Sequence, residues 1–408
     1  MGIFTIKSVY ARNRHGPDCV DDRAKAKAIM RLGRTKWIAA SLIYGLLSGG
    51  FAQAESIRIA SYNTELSRRG PGLLLRDIQS DKDEQVQAVV GIIAHISPDI
   101  LLLNGFDYDF GNAALNAFAN LISDHTAPYP YRFALRPNTG MNTGLDMDGD
   151  GRTGGPRDAQ GYGQFGGQGG MAILSRLPIH DAGVQDFTDM RWVDFPHALL
   201  PQRDGKPFPS PKAQALQRLS TTGHWVVPIK VEGAMINLMA FHATPPVFDG
   251  DEDRNGMRNH DEVRFWSAYL NGELDVKPDT APFVILGDAN LDPSDGDGRG
   301  TVIRGLLAHP MVQDAAPTSH GAVNATQVQG GVNARHKGNP ALDTADWSDT
   351  SGPGNMRVDY VLPSVDLEIA ASGVFWPKAD NPDAALLSVG GTPASRHHLV
   401  WVDVIPQR

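Results

Sequence analysis

Residues 283–297 read F-V-I-L-G-D-A-N-L-D-P-S-D-G-D and carry a pair of side chains suited to chemistry. Phe283 to Leu286 is an unbroken apolar run closed by Gly287, the pattern of a strand buried on both faces. Asp288 and Asn290 follow at i and i+2, so on an extended strand end both side chains point the same way. A carboxylate there can orient a water or hold a metal, and a carboxamide can bond a phosphoryl oxygen without adding negative charge. The same two residues would also close a strand through an Asx turn.

Five other stretches have the same form, a short apolar strand that ends in polar groups. I-R-I-A-S-Y-N-T-E-L (57–66) ends in Asn63 and Glu65, which face one way if the strand continues. P-D-I-L-L-L-N-G-F-D-Y-D (98–109) supplies Asp107 and Asp109. N-L-M-A-F-H-A-T-P-P (237–246) delivers His242, and R-V-D-Y-V-L-P-S (357–364) holds Asp359 in apolar company, which suits an acid that orients an imidazole. S-R-H-H-L-V-W-V-D-V (395–404) carries His397 and His398. Each stretch is weak alone: Asn63 could end a strand, and a His beside Pro is often structural.

In this order and spacing the five stretches resemble the endonuclease/exonuclease/phosphatase family, the superfamily of deoxyribonuclease I, AP endonucleases, sphingomyelinases and inositol-polyphosphate phosphatases. The resemblance spans about residues 57–404. It implies a four-layer α/β sandwich, two packed mixed sheets with outer helices, and a metal-dependent phosphoesterase. A divalent cation, Mg²⁺ or Mn²⁺, would sit near Asn63 with Glu65, Asp107 and Asp288 as metal residues. Asp288 would orient the attacking water with Asn290 beside it. His397, oriented by Asp359, and His242 would stabilise developing charge and serve the proton transfers.

Two positions depart from that pattern. The family's P-D-x-L-x-L-x-E ends in its principal Mg²⁺ ligand, and this chain has Gly105 there. Its S-D-H signature reads Ser395-Arg396-His397 here, so a second acid has become a base. A cation held by few carboxylates loses much of its affinity when one is removed; Glu65, Asp107 and Asp109 are the candidate replacements. The losses open an alternative from another class, a degenerate member that binds a phosphorylated ligand or a surface without turnover. Asn63, His242, Asp288, Asn290, Asp359 and His397 all remain, which favours the enzyme.

A calcium site is a separate expectation. Asp251–Glu262, D-E-D-R-N-G-M-R-N-H-D-E, fits an EF-hand loop with Asp251, Asp253, Asn255, Gly256 and, at position 12, Glu262. Arg258 at position 8 and the lack of a preceding helix favour the plainer reading, an acidic loop capping a helix over Val263–Leu270. Asp146, Asp148 and Asp150 alternate like the first half of such a loop, but its twelfth position is Arg157.

Around these motifs the pattern predicts a helix from Asp83 to His95 and a hairpin, Trp225–Val231 and Met235–Phe241, turning at Glu232-Gly233. Residues 136–170, 191–223 and 308–355 read as long polar or Gly-rich excursions. Alternation alone supports one α/β domain. Of 408 residues, 41% are hydrophobic and 20% charged, a globular composition, and 44 Gly suit long loops.

Arg31, Arg34 and Lys36 precede the apolar stretch Trp37–Leu47, and Ala52-Gln53-Ala54 follows as an A-x-A cleavage signal. The reading is a signal-peptide region over 1–54, with Met30 as a candidate true start, a mature chain from Glu55, and export to the periplasm or medium. Cys19, the single cysteine, lies in the removed part, so the mature fold uses no disulfide. Residues 1–54 hold nine Lys/Arg and three Asp/Glu, which leaves 28 basic and 43 acidic residues, a net charge of −15. Such a protein is poorly placed to grip a nucleic-acid backbone, and no run of Lys/Arg supplies a groove. The substrate is therefore expected to be a small phosphoester or lipid headgroup rather than nucleic acid held in a stable complex. Nothing past residue 50 is apolar enough to span a membrane, and a monomer is expected.

Overall fold

The computed structural model describes residues 56–406. The expectations on residues 1–54, including Met30, the cleavage signal and Cys19, lie outside the described residues.

The chain starts with β1 (Ile57–Asn63), α1 (Leu73–Ser80), α2 (Glu84–Ile96), β2 (Ile100–Phe106) and α3 (Ala113–Ser123). Asp83 caps α2 by accepting the Val86 N–H, and Ser97 ends it in a left-handed conformation before Pro98, as the sequence pattern requires. β3 (Tyr131–Phe133) and β4 (Gly170–Ser175) bracket the Gly-rich excursion. Then come β5 (Gln185–Asp186), α4 (Pro211–Leu216) and the hairpin β6 (His224–Val231) and β7 (Ala234–His242). α5 (Arg254–Leu270), β8 (Phe283–Asp288), α6 (Thr301–Leu307), α7 (His320–Gln329), β9 (Asp359–Pro363), β10 (Leu367–Val374) and β11 (Val400–Pro406) complete the fold.

Two mixed sheets result. The six-stranded sheet runs β10-β11-β1-β2-β4-β3, and only β1 and β2 pair in parallel. The five-stranded sheet runs β9-β8-β7-β6-β5, with β7 and β8 parallel. Inward-facing Ile57, Ile59, Ile100, Leu102, Val400 and Val402 meet Val227, Leu238, Val284 and Val361 in one core between the sheets. α1 to α3 cover the outer face of the first sheet and α5 and α6 that of the second, each over its own core. Helix, sheet, sheet, helix is the expected four-layer sandwich, and the burial of both sheet faces explains the unbroken apolar runs.

Because side chains alternate along a strand, the inward rows can be extended to their ends. Ile57, Ile59 and Ser61 lead to Asn63; Ile100 and Leu102 to Asn104; Leu238 and Ala240 to His242; Val284 and Leu286 to Asp288. The apolar interior between the sheets thus gives way to a polar end where parallel strands finish together.

Three expected loops are structured instead, one of them the 308–355 excursion, which carries α7 and buries Ala322. α5 starts at Arg254, nine residues before the expected Val263, so Asn255 and Glu262 lie on a helix and not in an EF-hand loop. The 191–223 excursion buries Trp192 and Leu219, and so is more than a surface loop.

Candidate active site

Asp288 is the centre of the polar end. It is fully buried, and strand register sets it between His242 on β7 and Asp359 on β9. Its Oδ2 accepts Asn63 Nδ2 at 2.8 Å from the other sheet and lies 3.5 Å from His242 Nε2 and 3.9 Å from His397 Nδ1. Its Oδ1 accepts the Asn290 N–H at 2.8 Å. That last bond is an Asx turn, so the structural and the chemical readings of Asp288 hold together.

His397 is held from behind. Its Nδ1 lies 2.9 Å from Asp359 Oδ2, and Nε2 is 3.5 Å from Asn63 Nδ2. Thr344 Oγ1 donates to the same Asp359 oxygen at 3.0 Å and accepts the Asp359 N–H, which fixes the carboxylate. No sequence signal marks Thr344; it comes from a polar excursion fifteen residues upstream of Asp359.

The charges follow from this geometry. Burial opposes the His397 imidazolium, but the carboxylates of Asp359 and Asp288 outweigh it and raise the pKa to about 9. Burial lowers the His242 pKa against the opposing pull of Asp288, so His242 is the neutral imidazole of the pair. Burial, then the Asp359 charge, push the Asp288 carboxyl up.

The Asn290 side chain does not face with that of Asp288 as the i, i+2 spacing implied. The residue has φ +48°, and its Nδ2 turns to the Ala243 carbonyl at 3.0 Å, tying the end of β7 to that of β8.

The acids expected to hold a metal at the first two strands are engaged elsewhere. Glu65 has φ +49°, so β1 does not continue and Glu65 does not face with Asn63. Its Oε2 accepts the Arg396 N–H at 2.8 Å and Ser395 Oγ at 3.2 Å, and its Oε1 accepts Arg396 Nε at 2.9 Å and Nη2. Asp107 accepts the Arg68 and Gly169 N–H groups, one on each oxygen, both at 2.8 Å, and so clamps two loops. Asp109 caps α3 through the Ala114 N–H. No carboxylate fills the space beside Gly105: a Cβ there would overlap the Asn63 carboxamide oxygen.

What remains for a cation is Asp288, Asp359 and His397, whose ligand atoms lie within 4.8 Å of one another. Asp359 Oδ1, His242 Nδ1 and both polar atoms of the wholly buried Asn104 side chain have no hydrogen-bond partner among the described residues. Orphaned buried groups at the polar strand ends mark a region built for an ion, water or ligand. Two carboxylates and an imidazole are a reasonable donor set for a divalent ion.

The calcium expectation for Asp251–Glu262 fails on geometry. Glu262 is fully buried and accepts the Thr244 N–H at 2.7 Å and that of Thr221. Asp253 pairs with Arg299, Asn255 donates to the Val247 carbonyl, and Asp251 lies exposed. The other alternating run does gather: Asp146 and Asp148 meet Asp158, rather than Asp150, within the same 4.8 Å limit.

The model of the endonuclease/exonuclease/phosphatase family matches residues 60–397. No curated protein sequence matches the chain. Among solved structures, an endonuclease/exonuclease/phosphatase from Beutenbergia cavernae is similar at 15% identity and TM-score 0.48, covering 86% of this chain and 72% of its own. Sphingomyelinase C from Streptomyces griseocarneus is similar at 18% identity and TM-score 0.44, covering 85% and 99%. A beta toxin variant from Staphylococcus aureus with bound magnesium ions is similar at 14% identity and TM-score 0.44, covering 86% and 99%. With a family match over most of its length and the motif residues of five strand ends gathered about Asp288, the chain belongs to the endonuclease/exonuclease/phosphatase family.

Proposed function

We propose that this protein is an exported phosphoesterase that hydrolyses phosphodiester or phosphomonoester bonds by water attack at the Asp288 cluster. The observation that carries the reading is the convergence on one buried carboxylate of Asn63, His242 and His397, from three strand ends. Asp288, its pKa raised by burial, is suited to orient a water and take its proton. His397, held by Asp359, presents positive charge to a phosphoryl oxygen, and Asn63 adds an uncharged donor. His242, kept neutral and 3.5 Å from Asp288, can receive the proton that Asp288 takes from the water and pass it to the leaving oxygen.

Asp288, Asp359 and His397 would hold a divalent cation, Mg²⁺ or Mn²⁺, which when bound polarises a phosphoryl oxygen. The His397 proton and the metal are then alternative positive charges at one ligand atom. The net charge of −15 beyond residue 54 supports a small phosphoester or lipid headgroup over duplex nucleic acid. Export rests on the Ala52-Gln53-Ala54 signal; N-terminal sequencing of periplasmic or secreted material should begin at Glu55, and a secreted chain retaining Cys19 contradicts it.

The Arg396–Glu65 pair favours a second reading, a phosphate-binding module without turnover. A phosphoester screen with Mg²⁺, Mn²⁺ and Ca²⁺ separates the two. The enzyme reading expects turnover that falls roughly 10²–10⁴-fold in Asp288→Asn and in His397→Ala, with the melting transition retained. Near-normal turnover in either variant removes the proposed mechanism. No turnover on any substrate, with phosphate binding that His397→Ala abolishes, establishes the module.

A further inference from the structure

A pocket of about 420 Å³ lies beside this cluster, where the segment after β7 meets the first turns of α5 and the Gly-rich excursion. Thr244 is in its wall, two residues from His242, so the two Cα atoms are at most about 7 Å apart. The volume falls within the roughly 300–1,000 Å³ of small-molecule sites.

Arg157, Arg254 and Arg258 line the pocket, and none of them has a carboxylate within 4.0 Å among the described residues. Arg258 is 7% exposed. Its Nε donates to the Leu219 carbonyl at 2.8 Å and its Nη2 to those of Gln160, Arg218 and Ser220, while Nη1 has no partner among the described residues. Burial lowers its pKa to about 10, with Glu262 opposing and the Arg254 charge adding to the effect. Arg254 is also lowered by burial, against Asp148, Glu252 and Asp249, and Arg157 adds repulsion. Three guanidinium groups are brought together with no carboxylate in ion-pair contact among the described residues, Asp148, Asp249, Glu252 and Glu262 acting on them only from longer range, so their N–H groups are left to an anion that enters the pocket.

Two aromatic rings at the same pocket face solvent. Phe248 is 76% exposed and Tyr162 61% exposed, in a chain that buries most of its aromatic side chains. Exposed rings beside unpaired guanidinium groups offer stacking and a charge fork together.

We propose that this pocket binds a mononucleotide-class ligand: its phosphate on Arg157, Arg254 and Arg258, its base against Tyr162 and Phe248. The site does not depend on the proposed turnover, and binding to the Asp288→Asn protein tests it separately. Calorimetry with adenosine monophosphate, adenosine and inorganic phosphate should show the nucleotide binding at least tenfold more tightly than either part. Arg157→Ala should weaken nucleotide and phosphate alike by tenfold or more. Phe248→Ala and Tyr162→Ala, both surface changes, should weaken the nucleotide several-fold and leave phosphate unchanged, with unaltered melting temperatures. Phosphate binding as tightly as the nucleotide overturns the base-binding half, and adenosine binding as tightly overturns the phosphate half. Absence of nucleotide binding, or tighter binding of a single-stranded oligonucleotide than of the mononucleotide, overturns the proposal.

Discussion

Gly105 shows what one residue changes. It sits at φ +64° beside the bulge of β2, with its missing Cβ directed at the Asn63 carboxamide oxygen and 3.1 Å from the Glu65 N–H. The family pattern would recommend a repair, Gly105→Glu with Arg396→Asp, to rebuild a metal site. The structure argues against it, because any side chain at 105 displaces the amide that bonds Asp288. Gly105→Ala should cost about 1–3 kcal/mol from the left-handed backbone alone and should lower turnover as well. The double variant should melt earlier and gain neither Mn²⁺ affinity by calorimetry nor phosphoesterase rate. A tenfold gain in both would show that Asn63 can move aside and that the fold still accommodates the family's metal geometry.

At the scale of an element, α5 holds the site together through a buried polar face. Asn259 Nδ2 donates to the carbonyls of Thr244 and Ala289, each at 2.8 Å, so one amide ties the segment after His242 to that after Asp288. Asp261 accepts Trp192 Nε1 and the Leu199 N–H, both at 2.7 Å. Asn259→Ala leaves two buried carbonyls without partners and should destabilise by about 1–3 kcal/mol per lost partner while lowering turnover. Leaving residues 242–244 and 288–290 equally well fixed, seen as unchanged turnover, would remove the positioning role. Glu262→Gln should destabilise by about 1–3 kcal/mol with or without calcium, because its carboxylate serves Thr221 and Thr244. A calcium-dependent rise in melting temperature that this change abolishes would restore the EF-hand reading.

For the whole molecule, buried titratable groups set the pH of greatest stability. Burial raises Glu262 to about 7, and burial with the charges of Asp292 and Asp295 raises Asp343 to about 8. Between their ordinary values of 4.5 and 3.8 and these raised ones, the folded chain holds more protons than the unfolded one, so stability falls as pH rises. His397, raised to about 9, adds a stabilisation that is complete below 6.5 and is lost as pH climbs through 9. Burial lowers His224 to about 4 and His398 to about 3, and these act oppositely: the unfolded chain gains protons below 6.5 that the folded one refuses. Melting temperature should therefore peak in the mildly acidic range and decline towards pH 8. Asp343→Asn should raise it by an amount that grows from about pH 4 to about pH 8 and then levels off. A pH-independent effect of that substitution would show that Asp343 titrates normally.

Local sequence pattern is enough to place the frame: the buried strands, the capped α2, the hairpin and the polar strand ends at Asn63, His242, Asp288, Asp359 and His397. These were legible because apolar runs, period-two alternation and caps act between residues close in the chain. What those ends, and the residues near them, meet depends on how the chain folds. Glu65 looked like a metal ligand until Arg396, 331 residues away, occupied both its oxygens; Glu262 looked like a calcium ligand until two amides from other segments claimed it. Thr344, Asn259 and the arginine pocket carried no local pattern at all. A side chain's preference is local, but a buried charge or hydrogen bond takes its partner from whatever folding brings within reach, and sequence spacing does not contain that distance.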